Sequence, residues 1–182
     1  TFPRSSLAVD SLGGVYVTGT TGNTTTGYDF ETRKYVQCSG SVIYCTAKLN
    51  SVACLPAIAS GGMPSASAGA GFIVSGSNVR NNKNGLLFYG VSGTAAAPYQ
   101  GGTLCVKTPI KRTGAQNSGG SPAPANDCTG VWNLDMNAFA VSPGPPAPLP
   151  ALTVPGTTVY CQWWGRDPGY VAPNNTQLSN GL

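Results

Sequence analysis

Apolar and polar positions alternate in short runs along this chain, and clusters of Gly, Pro, Asn and Thr separate the runs. Val15-Tyr16-Val17-Thr18 is one run, ended by Gly19 and a Thr/Gly/Asn-rich stretch, Thr20–Gly27, that reads as a turn or linker. Lys34-Tyr35-Val36-Gln37-Cys38 is the next. Gly71–Ser75 and Leu86–Gly90 flank Asn81–Gly85, whose Asn-Gly pair is the strongest short-range hairpin signal. Thr103–Lys107, Val131–Met136 and Thr157–Trp164 complete the series. Strong helix formers are always interrupted early by Gly, Pro or β-branched residues, so helices are not expected. The pattern predicts an all-β chain: an antiparallel β-sandwich of about seven to nine strands with long Gly/Pro-rich loops.

Two stretches lack apolar periodicity. Residues 113–126 are rich in Gly, Ser, Pro and Asn, and residues 142–150 carry a Pro run that favours polyproline II and reads as a stiff surface connection. Residues 1–30 differ in texture and are expected to form an N-terminal strand or appendage, with residues 31–182 as the sandwich domain. Leu7 and Val9 alternate, as do Val15 and Val17, which makes residues 5–19 a candidate donor strand for a neighbouring subunit.

Composition narrows the picture. Only 9% of the 182 residues are charged, against about 25% in an ordinary domain. The net charge is +4, and the basic residues are scattered without a stripe of interleaved aromatics, which argues against a nucleic-acid partner. No apolar run is long enough for a membrane-spanning helix. A start at Thr1 fits a processed form.

Six Cys and no His predict structural disulfides in an extracellular, oxidising compartment. Without His or a CxxC pair a zinc site has no basis. The pairing is open at this level. The preferred set is Cys45–Cys54, Cys105–Cys128 and Cys38–Cys161, because the first two close short loops.

The same absence of His excludes the usual Ser-His and Cys-His nucleophile pairs. The acids are Asp10, Asp29, Glu31, Asp127, Asp135 and Asp167. Asp135 and Asp167 are the only pair worth weighing as glycosidase carboxylates. Asp167 follows Arg166 and precedes Pro168, however, and reads as a turn or cross-loop ion pair. No enzyme is expected. Asp127 with Asn126, or Asp135 with Asn133 and Asn137, offers oxygen ligands for calcium, but neither set forms an EF-hand loop. Asn133, Asp135 and Asn137 would share one solvated strand face, so neither a metal nor another cofactor is expected. Trp132, Trp163, Trp164 and Tyr170 are the candidate sugar-stacking aromatics. Trp163 and Trp164 must point to opposite faces of a strand, so one belongs to the core. Asn23 and Asn174 head glycosylation sequons in turn-like sequence.

An ordered series of short motifs carries a resemblance over about three quarters of the chain. It begins with Tyr44-Cys45-Thr46-Ala47-Lys48, Asn50-Ser51 and Cys54-Leu55-Pro56. It continues with Asn81 to Gly90, Gly101 to Val106 and Asp127-Cys128. Asp135, Asn137-Ala138-Phe139, Gln162 to Asp167 and Leu178 to Leu182 end it. From Tyr44 onward the chain resembles a β-rich module near the C-termini of large secreted proteins of planctomycetes and related environmental bacteria. That resemblance implies a secreted, surface-associated, modular context and supplies no activity or catalytic residue. The family has Asp where Asn180 stands and continues past the Gly-Leu into another strand, so a final strand is expected to be missing here or supplied by another subunit. Leu7-Ala8-Val9-Asp10-Ser11 with Val15–Gly19 is similar to one blade repeat of bacterial β-propellers, and one blade cannot bury itself.

These readings predict a non-enzymatic structural or adhesive module of a secreted bacterial surface protein, a candidate subunit of an extracellular filament built by strand donation. The alternative is a carbohydrate-binding module using exposed aromatics. The expected partners are further copies of the chain, neighbouring surface proteins or polysaccharide.

Overall fold

The computed structural model describes residues 6–9, 14–23, 27–36 and 40–182. The chain divides into two units, Thr1–Gly40 and Ser41–Leu182. In the first, β1 (Ser6–Val9), β2 (Gly14–Asn23) and β3 (Gly27–Val36) form an antiparallel sheet in that order. The ladder between β2 and β3 runs without a break from Gly14↔Val36 to Asn23↔Gly27. The Thr-rich stretch expected to turn is therefore strand as far as Asn23, and β3 crosses position 30, so the division falls at Gly40. β-branched Thr suits a pleated surface, which is why the ladder continues. The candidate donor segment pairs within its own chain, Leu7 opposite Val17 and Val9 opposite Val15. Every residue of the unit whose burial is described is exposed or half-buried.

The second unit carries β4 (Ala57–Gly62), β5 (Phe72–Val79), β6 (Asn84–Gly90), β7 (Thr94–Tyr99) and β8 (Gly102–Val106). After them come β9 (Lys111–Arg112), β10 (Gln116–Asn117), β11 (Gly130–Asp135), a short helix α1 (Met136–Ala140), β12 (Tyr160–Arg166) and β13 (Thr176–Gly181). One sheet runs β10-β6-β12-β13 with β9 also on β6, and the facing sheet runs β11-β5-β4. β7 and β8 make a separate hairpin, and every pairing is antiparallel. The edge of β13 away from β12 is bridged by Tyr44 and Lys48.

Two tryptophans join the sheets. Trp132 of β11 and Trp163 of β12 stack with ring centroids 5.6 Å apart and planes 28° apart. Glycines make the room for them. Gly85 and Gly165 lie opposite each other on β6 and β12, and a Cβ at either would fall 2.3 or 2.1 Å from the Trp132 ring. At Gly76 a Cβ would fall 2.8 Å from the Trp163 ring. Ile58, Val74, Val79, Leu87, Tyr89, Met136, Leu152 and Cys161 fill the core around this pair. The Asn84-Gly85 signal therefore marks a slot for an indole. The expected hairpin does not form, because β5 and β6 belong to different sheets. The intervening residues cross between the sheets, and the Asn81 side chain ties them to the Ser121 and Ala125 carbonyls (2.8 and 2.9 Å). The Pro-rich stretch ends on the core: the Leu149 amide donates to the Tyr89 hydroxyl (3.2 Å) and Leu152 is buried.

The cysteine pairing differs from the expected one. The disulfides among the described residues are Cys45–Cys105 and Cys54–Cys128, across sequence separations of 60 and 74. Neither short-loop pairing, Cys45–Cys54 or Cys105–Cys128, forms. The chain from Tyr44 to Lys48 lies along β13 and brings Cys45 to Cys105 of β8, while Cys54, beyond that segment, meets Cys128 in the loop before β11. In the chain-entropy model loops of this length stabilise by about 4 kcal/mol each. Cys161, expected to bond Cys38, is a free thiol inside the core, and burial pushes its pKa up to about 12. Cys38 lies outside the described residues.

Sequence reading also missed α1. The Asp135 carboxylate caps it, accepting the Ala138 amide (3.1 Å) and, from the neighbouring loop, the Gly71 amide (2.7 Å). The alternation stops there. Asn137 is thereby buried rather than on a solvated strand face, and it holds the 63–70 loop through Met63, Ser65 and Ala70.

Candidate binding cleft

Strand alternation divides β6 and β12 between two tasks. Leu87, Tyr89, Cys161 and Trp163 face the opposing sheet, and Leu86, Phe88, Gln162, Trp164 and Arg166 face the other way. The β7–β8 hairpin covers part of this outer face. Gln162 fastens it: the fully buried amide accepts the Cys105 N–H (3.0 Å) and donates to the Thr103 and Ser179 carbonyls (2.9 and 2.8 Å). A buried amide with all three bonds made costs little and fixes one position for the hairpin.

The hairpin turn then stands beside Trp164. Gln100 and Gly101 adopt positive φ (47° and 74°), which brings Gln100 Oε1 to accept the Trp164 indole N–H at 2.8 Å. That bond fixes the ring of a half-buried tryptophan. Phe88 lies against it, centroids 6.2 Å apart and planes at 29°, and Tyr99 meets Phe88 edge-on at 6.1 Å. The Arg166 guanidinium sits 5.6 Å from the Trp164 centroid. Arg112, on β9 opposite Phe88, sits 5.6 Å from the Phe88 centroid. Asn84, Leu86 and Ala115 complete a cleft of about 520 Å³, within the range of small-ligand sites.

Charge around the cleft is one-sided. Ser41–Leu182 holds seven Lys and Arg but only three acids, and each carboxylate is already engaged. Asp167 is fully buried, which by itself raises its pKa. Donors from Ser51 (Oγ 2.5 Å, N–H 2.7 Å), Arg80 (2.6 Å) and Gly169 (3.3 Å) outweigh that and hold it below the usual carboxylate value. Asp135 is held low by the amides of Gly71 and Ala138, and Asp127 by the hydroxyl and amide of Thr129. Of the two readings of Asp167, a turn with Arg166 or a cross-loop ion pair, the ion pair forms. Asp167 pairs with Arg80 and Arg166 lies over Trp164, since successive residues of an extended chain point to opposite sides. Asp135 and Asp167 bind different structural partners and offer no carboxylate pair. No cluster of three His, Cys, Asp or Glu suited to a metal occurs among the described residues.

A second hollow of about 430 Å³ lies past the same turn, lined by Ala47, Lys48, Leu49, Gly101, Gly102, Tyr170 and Asn174. Lys48 is its strut. Its ammonium donates to the Gln100 (2.8 Å) and Asn174 carbonyls and sits 4.9 Å from the Tyr170 centroid. Burial lowers its pKa, with Asp167 opposing. The Tyr170 hydroxyl donates to the Leu49 carbonyl (3.2 Å), so this ring braces Lys48.

The four aromatics singled out in the sequence are thus not brought together. Trp132 and Trp163 are core residues, 1% and 0% exposed, and are removed as binding candidates. Trp164 lies in the cleft and Tyr170 beside the second hollow. Asn174 is exposed, but Thr176 of its sequon is buried at the start of β13. Asn23 ends β2, and its side chain lies outside the described residues. Sequence reading missed Phe88, Tyr99, Gln100 and Arg112. The unbroken run Leu86-Leu87-Phe88-Tyr89 was a signal that β6 is covered on both faces. Comparison with protein-family models, curated proteins and solved structures finds no match.

Proposed function

We propose that the chain is a non-enzymatic, extracellular adhesive module that binds carbohydrate in the Trp164 cleft. The observation that carries this reading is the half-buried Trp164 ring, held by Gln100 beside Phe88 and Tyr99 in a cleft of about 520 Å³. Aromatic platforms receive the apolar face of a sugar ring, and the amides and guanidiniums at the rim suit its hydroxyls. Two disulfides among the described residues, no described helix fit to cross a membrane, and the motif resemblance to secreted surface modules support an extracellular setting. The absence of His from the sequence and the structural employment of all three acids of the second unit support a non-catalytic role. Affinity electrophoresis through gels containing polysaccharide tests the reading. The chain should be retarded by at least one polysaccharide and Trp164→Ala should not be. A variant retarded like the wild type would overturn it.

A second reading, a structural subunit, rests on a different observation. Leu7 and Val9 are 67% and 61% exposed and share a face of the N-terminal sheet with Tyr35, 53% exposed. Three strands with an exposed apolar patch beside the Arg33–Glu31 ion pair gain by stacking on another copy. Strand donation would instead require β1 to leave β2. Sedimentation of the full chain should show oligomers that the double substitution Leu7→Lys, Val9→Lys disperses. A wild-type chain that sediments as a monomer at high concentration would sink this reading.

A further inference from the structure

We infer that the cleft is built for an acidic saccharide, with a sugar ring on Trp164 and a carboxylate held by Arg112 and Arg166. This rests on the carbohydrate reading above and names the chemical class it selects. The two guanidiniums lie over neighbouring rings: Arg166 over Trp164 and Arg112 over Phe88, with those rings 6.2 Å apart. They reach the cleft from different strands, β12 and β9, yet arrive at the same aromatic floor. Neither has an ion-pair partner among the described residues, and no acid lines the cleft. The three carboxylates of the unit cannot be recruited, because a helix cap, a loop and a buried Arg80 pair hold them. Two cations over an aromatic surface with no internal counter-charge leave a place for a ligand anion. A guanidinium presents paired N–H donors that match a planar carboxylate, a fit that an ammonium does not offer. Asn84 and Gln100 supply amide groups at the rim for ring hydroxyls. The cleft volume suits a short saccharide segment, and Arg112 and Arg166 are the only basic residues in its lining, short of the basic groove that tracks a single-stranded nucleic acid backbone.

The test is calorimetry on the full chain with uronate oligosaccharides and the same oligosaccharides after reduction of their carboxyl groups to alcohols. The acidic form should bind about tenfold tighter or better, the effect of one to two charge-assisted contacts. That advantage should shrink as salt is raised, since exposed charges are screened. Arg112→Gln with Arg166→Gln should abolish the advantage and keep the binding of the reduced form. Lys107→Gln, an exposed cation outside the cleft, should leave the advantage intact. Equal binding of both forms would overturn the acidic selectivity and leave the cleft as a neutral sugar site. Binding of neither would overturn the carbohydrate reading itself. Tighter binding of a sulfated oligosaccharide would replace carboxylate by sulfate selection. Tighter binding of a single-stranded oligonucleotide would reject the saccharide class.

Discussion

Trp163 and Trp164 are neighbours on β12, yet the first is fully buried and the second is half-buried at the rim of a cleft. The inner face receives its tryptophan through missing side chains. Gly76 yields to Trp163, and Gly85 and Gly165 yield to its stacking partner Trp132. The outer face receives its tryptophan through polar contacts: Gln100 fixes the indole N–H, and Gln162 holds the hairpin that carries Gln100. Shape complementarity on one side makes a core, and hydrogen-bonded placement on the other makes a site that stays open. The same residue type serves stability or recognition according to what stands opposite.

Three changes break or sharpen this contrast, in descending order of effect. Trp163→Ala empties the inter-sheet slot and should cost about 4 kcal/mol in urea unfolding. A loss as small as that of Trp164→Ala would mean that the two faces are equivalent. Asp167→Asn leaves Arg80 buried without its counter-charge and should cost about 3 kcal/mol. It also carries a pH signature. The native pKa of Asp167 is depressed, so its stabilisation is present above the unfolded value of about 4 and is lost as pH falls through the native value. Acid titration of stability should therefore be shallower in Asp167→Asn, and an unchanged acid limb would count against the buried pair. Trp164→Ala, the smallest change, should cost about 1 kcal/mol, the worth of a partly exposed aromatic contact, while removing carbohydrate binding. Urea unfolding and affinity electrophoresis on the same preparation separate the two consequences.

Legibility in the sequence followed the range of the interactions. The runs at Val15–Thr18, Leu86–Gly90 and Thr103–Val106 are strands because a short β-branched or aromatic run bounded by Gly or Pro is a local signal. The Asn-Gly at 84–85 misled for the same reason, since a local turn signal cannot report an indole arriving from the other sheet. Asp135 reads locally as a candidate catalytic or calcium-binding carboxylate, whereas its task is to end a strand and begin a helix. Arg112 carried no sequence signal, as only its pairing opposite Phe88 brings it to the cleft.

By itself, the sequence determined an all-β chain, strands of period two, and opposite faces for Trp163 and Trp164. These follow from the geometry of a single extended backbone. Tertiary structure alone decided which tryptophan is buried, that Cys45 joins Cys105 and Cys54 joins Cys128, and that Asp167 answers Arg80 rather than Arg166. Each depends on strands meeting across many residues of chain. Such contacts are chosen by the packing of whole sheets, and no short window of sequence encodes them.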